Sequence, residues 1–248
     1  EINKQSTSAL RTNNVQTLTY FQDFDRHSVN VMVGHEYYKT TTKFLGAIAQ
    51  GGFSPSIPEI DAFAKISDAS SYKSGYNVEG YFGSAQYNYD QKYFASASFR
   101  RDASSYFAKE NRWGNFWSVG GAWLISKENF MQSSASWLNM LKLKFSVGQQ
   151  GNDNIGAYAY TDLYDLVPTG STSMGATFKR MGNPDITWET TTNYNLGVEF
   201  SLWEGRLSGN VDYYVKKTSD LLFWLSIPES SGTRGYYGNV GDIRNMGI

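Results

Sequence analysis

Residues 207–216 read Leu-Ser-Gly-Asn-Val-Asp-Tyr-Tyr-Val-Lys, and the order of these ten residues decides the fold. Leu207, Gly209, Val211, Tyr213 and Val215 are apolar or aromatic, whereas Ser208, Asn210, Asp212, Tyr214 and Lys216 are mostly polar. Successive side chains of an extended strand point to opposite sides, so this stretch has one oily face and one wet face.

The same rhythm recurs along the chain. Val29, Val31 and Val33 alternate with Ser28, Asn30 and Met32, and Tyr93, Ala95, Ala97 and Phe99 with Phe94, Ser96, Ser98 and Arg100. Trp117, Val119, Gly121 and Trp123 oppose Ser118, Gly120 and Ala122. Leu141, Leu143, Phe145 and Val147 oppose Lys142, Lys144, Ser146 and Gly148, and Thr192, Tyr194, Leu196, Val198 and Phe200 oppose Asn193, Asn195, Gly197 and Glu199. Most of these runs approach ten residues, the length of a tilted membrane-crossing strand, about 9–11 residues. A soluble sandwich also alternates. The charges Lys142, Lys144, Glu199 and Asp212 within the wet faces suit water enclosed by a wall instead.

Spacing separates the two cases. The expected strands are 14–22, 27–42, 76–89, 93–102, 114–124, 137–149, 186–201, 206–217 and 238–248. Short turns at 23–26, 90–92 and 202–205 and a compact link at 126–136 alternate with loops at 43–75, 103–113, 150–185 and 218–237. Short turns at one end and long loops at the other are the mark of an outer-membrane barrel. The fold class read here is therefore all-β, an antiparallel transmembrane β-barrel. About nine strands is an odd number, and a bacterial single-chain barrel closes with an even one. Large transport barrels use about 22 strands around a plugged lumen. The 248 residues are thus expected to be part of a single barrel domain, without its plug.

Composition narrows the function. Lys and Arg number 22 against 23 Asp and Glu, a net charge of −1 that gives no electrostatic case for nucleic acid. Without Cys there are no disulfides, thiolate metal sites or thiol chemistry. A mean hydropathy of −0.46 does not fit a helical membrane protein. Glu1-Ile2-Asn3-Lys4 lacks a signal-peptide pattern, and both ends read as cuts through a longer chain.

Residues 93–124 contain Arg100-Arg101-Asp102-Ala103-Ser104-Ser105-Tyr106-Phe107 and Asn111-Arg112-Trp113-Gly114-Asn115-Phe116-Trp117-Ser118. They resemble a signature of SusC-like TonB-dependent outer-membrane transporters, Arg-x-Asp-Gly-Ser-Ser-x-Phe followed by Asn-Arg-Trp-Gly-x-Phe-Pro-Ser. Glu128-Asn129-Phe130-Met131, Trp137 to Lys144, Gly148 to Asn152, Asn183 to Glu189, Tyr213 to Leu222 and Asn239-Val240-Gly241 continue the resemblance in family order over 76–248. Ala103, Tyr106 and Trp117 depart from the family's Gly, Arg or Lys, and Pro, and leave the fold untouched. The resemblance implies import driven by TonB, which acts on an N-terminal plug. It also implies a SusD-like surface lipoprotein as lid, an oligosaccharide or peptide as ligand, and a place in the outer membrane.

Candidate site residues fall into two groups. Tyr158, Tyr160, Tyr164, Phe178, Trp224, Tyr236 and Tyr237 lie in the long loops, where aromatic rings fit a sugar face, a lid protein or the packing of the loops themselves. Arg100, Lys142, Lys144, Asp212 and Lys216 lie on wet strand faces and fit a lumen lining or simple hydration and cross-pairing of the inner wall. Asp153, Asp162 and Asp165 supply oxygen ligands for calcium, but without an EF-hand pattern, so no cofactor is expected. His27 and His35 would stand about 27 Å apart on one strand, too far to share a metal. Ser104 and Ser105 have no nearby His and no nucleophile elbow, so they and Asp102 read as a tied turn and no enzyme is expected.

Two rivals stay open at this point. A β-rich surface module that binds or assembles within a larger envelope complex would remain monodisperse without detergent. An outer-membrane enzyme barrel would need a Ser–His pair on one face.

Overall fold

The computed structural model describes residues 1–170 and 172–248. Its main body is a nine-stranded sheet in the order β1 (Ile2–Phe24), β2 (His27–Gly52), β3 (Phe63–Tyr89), β4 (Tyr93–Ser104), β5 (Trp113–Leu124), β6 (Leu138–Asn152), β9 (Glu189–Leu202), β10 (Leu207–Ser219) and β13 (Asp242–Gly247). β7 (Leu163–Pro168) with β8 (Met174–Arg180), and β11 (Leu222–Ser226) with β12 (Gly235–Asn239), form separate two-stranded ribbons.

The chain forms two compact units, Glu1–Asn14 with Tyr37–Val78, and Val15–Glu36 with Glu79–Ile248. In the second, antiparallel pairing aligns side chains into rows that cross the sheet. One row runs Ala97, Val119, Val147, Tyr194, Val215, Met246. The neighbouring row, on the opposite face, runs Ser98, Ser118, Gly148, Asn193, Lys216, Asn245. Farther along, Tyr93, Trp123, Leu143, Val198 and Val211 share the first face, and Phe94, Ala122, Lys144, Gly197 and Asp212 the second. A one-residue slip would exchange the faces, so the period-2 sequence pattern and the pairing register specify each other.

The oily face is uncovered. Val119, Phe145, Tyr194 and Leu196 are all exposed, and among the described residues no second layer packs on them. A sandwich would bury that face, whereas a barrel presents it to hydrocarbon.

Short connections gather at one end. Tyr89 and Tyr93 flank the Asp90–Lys92 turn and continue a line of rings, Tyr89–Tyr93 at 6.2 Å and Tyr93–Trp123 at 6.3 Å, a placement typical of headgroup depth. Phe94, the next residue, points to the inner face, where Lys142 Nζ lies 5.8 Å from its ring centre. The link expected at 126–136 consists of two 3₁₀ turns, Ile125–Lys127 and Asn129–Ser134. Glu128 between them accepts hydrogen bonds from Tyr93 Oη at 2.6 Å and Trp123 Nε1 at 3.0 Å. Those bonds, helped by Lys92, hold its carboxyl below the usual carboxylate range.

The first unit corrects the sequence reading. Residues 43–75, expected as a loop, are mostly strand, because β2 continues to Gly52 and β3 begins at Phe63. Likewise β1 covers Ile2–Phe24 rather than 14–22 alone. Gly51 at φ +73° marks the end of β2, and the remaining link is closed by Phe53 N–H donating to Ala62 O at 2.9 Å and by the ion pair Lys4–Glu59. Phe44 stacks on Tyr72 at 5.1 Å. The added lengths of β1 and β3 are rich in Ser and Thr, that of β2 in Gly and Ala, and all lack the oily alternation of the other unit. Elsewhere the expected strand 186–201 begins at Glu189, and 238–248 reduces to Asp242–Gly247 after the end of β12.

Candidate functional site

The long connections of the second unit build a core of their own. Phe107, Phe116, Ile155, Ala159, Ile186 and Trp188 are buried together, with Tyr106, Tyr160, Leu222 and Tyr237 packed against them. Phe107 and Phe116 each lie 5.3 Å from the Trp188 ring. Burying a full aromatic side chain contributes about 1.5–3 kcal/mol, so this cluster can order segments that are far apart in sequence.

Polar groups complete the knot. Ser104 Oγ donates to Asp153 at 2.5 Å and also accepts the Tyr106 N–H. Burial, with Asp153 adding, raises the Tyr106 phenol above its ordinary range. Trp188 Nε1 donates to Arg112 O at 2.9 Å, and Asn111 to Pro184 O at 3.0 Å. Asn239 receives the Thr187 N–H at 2.9 Å and donates to Thr187 O and Asp220 O, both at 2.9 Å. Glu189 accepts from Leu222 N–H and Asn152 Nδ2, both at 3.1 Å. The segments 100–118, 148–152, 183–189 and 239–241 singled out in the sequence thus meet in one place. Phe107, Phe116, Ile186 and Trp188 form its centre. They lay within those motifs but carried no local sign that they would meet.

Below this knot the inner face carries ion pairs. Arg100 Nε donates to both Asp102 oxygens at 2.7 Å and its Nη2 to Glu36 at 2.8 Å, with the guanidinium 5.4 Å from the Phe82 ring centre. A Cβ at Gly80 would lie 2.2 Å from Asp102 Oδ1, which accounts for glycine there. Lys144 pairs with Asp212 at 2.9 Å, and Asn210 donates to Asp212 at 2.6 Å. Here too a Cβ at Gly197 would meet Asp212 Oδ1 at 2.0 Å. Lys142 lies diagonal to these over Phe94, and Lys216 sits between Asn193 and Asn245. All five charged residues proposed for the wet face occupy one face of the sheet. An open groove of about 680 Å³ runs along that face, lined among others by Phe21, Asn30, Asn88, Phe94, Lys144 and Asp212.

The loop aromatics divide. Tyr160 and Tyr237 pack on the buried cluster, and Arg180 lies 5.2 Å from the Tyr237 ring centre. Trp224 meets Tyr237 edge-on at 5.0 Å, and Tyr236 is half-buried on β12. Tyr158 and Tyr164 are exposed, as is Phe178, whose ring meets Tyr164 at 5.6 Å across the β7–β8 ribbon. Asp153, Asp162 and Asp165 do not converge. Asp153 takes Ser104, Asp162 takes the Gly182 N–H at 2.8 Å and Asp165 takes Lys179 at 2.6 Å. His27 bonds Tyr87 Oη at 2.7 Å, while His35 faces Glu79 at 3.4 Å.

One oily and one wet sheet face, short turns at one end and packed loops at the other, define a segment of an outer-membrane β-barrel. Residues 2–248 match the family described as TonB dependent receptor-like, beta-barrel, and the chain belongs to that family. It is 33% identical over 95% of its length to TonB-dependent receptor P26 of Formosa agariphila. To TonB-dependent receptor SusC of Bacteroides thetaiotaomicron it is 34% identical over 75% of its length. The structure of the RagAB peptide transporter superposes on 98% of the chain with a TM-score of 0.92 and 30% identity. The chain spans about a quarter of these relatives, 24% of P26, 19% of SusC and 27% of the RagAB chain. It is a SusC-like barrel segment of the outer membrane.

Proposed function

We propose that the protein imports an oligomeric nutrient, an oligosaccharide or a peptide, across the outer membrane, with TonB supplying the energy and a SusD-like lipoprotein serving as lid. The observation that carries this reading is the pair of rows across the sheet, one facing hydrocarbon and the next facing water. Such a wall encloses a passage and performs no covalent chemistry. Arg100, Lys142, Lys144, Asp212 and Lys216 then line the wet side. Ligand or lid contact falls first to Tyr158 and Tyr164, whose rings are exposed, and next to Trp224 and Tyr236 at the edge of the loop cluster. Tyr160 and Tyr237 contribute by holding the loops on which the others stand. The likeness to a peptide importer sets a peptide ligand beside a glycan one.

Uptake by cells of the source organism tests the proposal. Deleting the full-length receptor abolishes accumulation of one labelled pool, oligosaccharides or peptides, and dissipating the proton-motive force does the same. Growth and uptake indifferent to both treatments would contradict import.

A further inference from the structure

On β4 two adjacent arginines have opposite surroundings. Arg100 faces inward and is held by Glu36 and Asp102. Arg101 faces the oily side, on the row after Phe99 and Trp117, opposite Asn115. Among the described residues no carboxylate comes within ion-pair reach of Arg101. Its guanidinium lies over the Trp113 ring, 5.1 Å from the centre, and Trp113 stacks on Tyr81 at 6.3 Å. Glu79 on the same side is engaged by Tyr81 Oη at 2.8 Å and faces His35 at 3.4 Å. Lys217, also outward at this end of the wall, is paired with Asp242 at 3.0 Å.

Depth follows from the strand. From Tyr93 in the girdle at the short-turn end to Arg101 is eight residues, or ~27 Å along a strand at ~3.4 Å per residue. A tilt of ~40° leaves ~21 Å of height, close to the ~25 Å apolar band of such barrels. Arg101 therefore stands at the outer headgroup level, and the amphipathic rings of Trp113 and Tyr81 mark the same depth.

We infer that Arg101, seated on Trp113, binds the phosphate of an outer-leaflet lipid. An unpaired cation on the hydrocarbon-facing side is costly unless it reaches an anion at the interface. A guanidinium presents parallel N–H donors that match two phosphate oxygens, and it keeps them while its plane rests on an indole. Headgroup phosphate is the anion available at that depth.

Arginine modification by phenylglyoxal tests this on the full-length receptor in nanodiscs of digalactosyldiacylglycerol, a lipid without phosphate. One set of discs contains bis-phosphorylated lipid A, a second contains lipid A stripped of phosphate, and a third contains inorganic phosphate in the buffer and no lipid A. Arg206, exposed in a short turn at the other end, is the internal control. Phosphorylated lipid A is expected to slow modification of Arg101 about fivefold, the factor 1 + [L]/Kd gives at ~4 times Kd, while Arg206 is unchanged. Arg101→Gln should retain less phosphorylated lipid A in native mass spectra while keeping the gel mobility of the folded barrel. Arg101→Lys should retain an intermediate amount. Equal rates at Arg101 with and without the lipid phosphates overturn the inference, whether both are fast or both slow. Protection by inorganic phosphate but not by lipid A overturns the lipid assignment.

Discussion

In the wall, Val119 and Phe145 turn 43% and 55% of their surface outward, whereas in the outer loops Phe107 and Ile186 are completely buried. The two regions use similar residues for opposite ends. A strand in a barrel wall satisfies its backbone with its neighbours and needs only an apolar solvent for its oily face. A loop in water has no such solvent and must bring its own hydrophobic partners together. Stability in the wall is therefore spread along rows such as Ala97 to Met246, while stability in the loops is concentrated in a few side chains around Trp188. The wall is expected to tolerate truncation and reject charge on one face. The loops are expected to reject truncation.

The largest expected effect is therefore in the loops. Phe107→Ala should destabilise the cluster by about 3–5 kcal/mol, the cost of emptying a filled aromatic site. Hydrogen exchange should rise across 105–112 and 153–188, while the heat-modified gel shift of the barrel remains. A Phe107→Ala protein with unchanged loop protection would remove the distinction between the regions.

Charge on the wall comes next. Val119→Arg should cost about 2–4 kcal/mol at the bilayer midplane, measured by urea titration of refolding into vesicles. Ser118→Arg, one residue away on the wet face, should cost far less. Equal losses would erase the two-faced wall. A third, smaller loss is expected for Asn239→Ala, which removes the three bonds joining β12 to Thr187 and Asp220. About 1–3 kcal/mol, read as faster proteolysis of the 181–241 region, matches the cost of leaving such groups unpaired.

The smallest effect belongs to the short-turn rim. Glu128 has its pKa lowered in the folded protein, so its contribution is present above the ordinary carboxylate range and is lost as pH falls through the lowered value. Glu128→Gln should flatten that acid limb of refolding stability and leave neutral-pH transport intact. An unchanged pH profile would dissociate the Tyr93–Trp123–Glu128 contacts from stability.

The wall was legible in the sequence because hydrocarbon on one side and water on the other imprint a period of two on the strands of the second unit, as at 141–148 and 192–200. Where β1 and β3 run on through Ser- and Thr-rich stretches and β2 through the Gly- and Ala-rich 43–52, that contrast is missing, and residues 43–75 read as loop although they are mostly strand. The loop cluster was half legible. The motifs at 100–118 and 183–189 stood out as residues, but their meeting depends on contacts between segments some seventy residues apart, such as Trp188 with Arg112. For the same reason the sequence left Tyr160 and Tyr237 open between a ligand, a lid protein and the loops themselves, and their rings close the cluster.

Site-directed spin labelling offers the most direct test of the two-faced wall, and residues 1–248 contain no cysteine of their own to compete for the label. Single cysteines placed in turn at residues 193–200 of β9, spin-labelled in the full-length receptor in liposomes, would be scored for relaxation by oxygen and by a water-soluble nickel chelate. Labels at Tyr194, Leu196, Val198 and Phe200 should respond to oxygen, and those at Asn193, Asn195, Gly197 and Glu199 to nickel, in strict alternation. A uniform response along the strand, or the reverse phase, would contradict the two-faced wall.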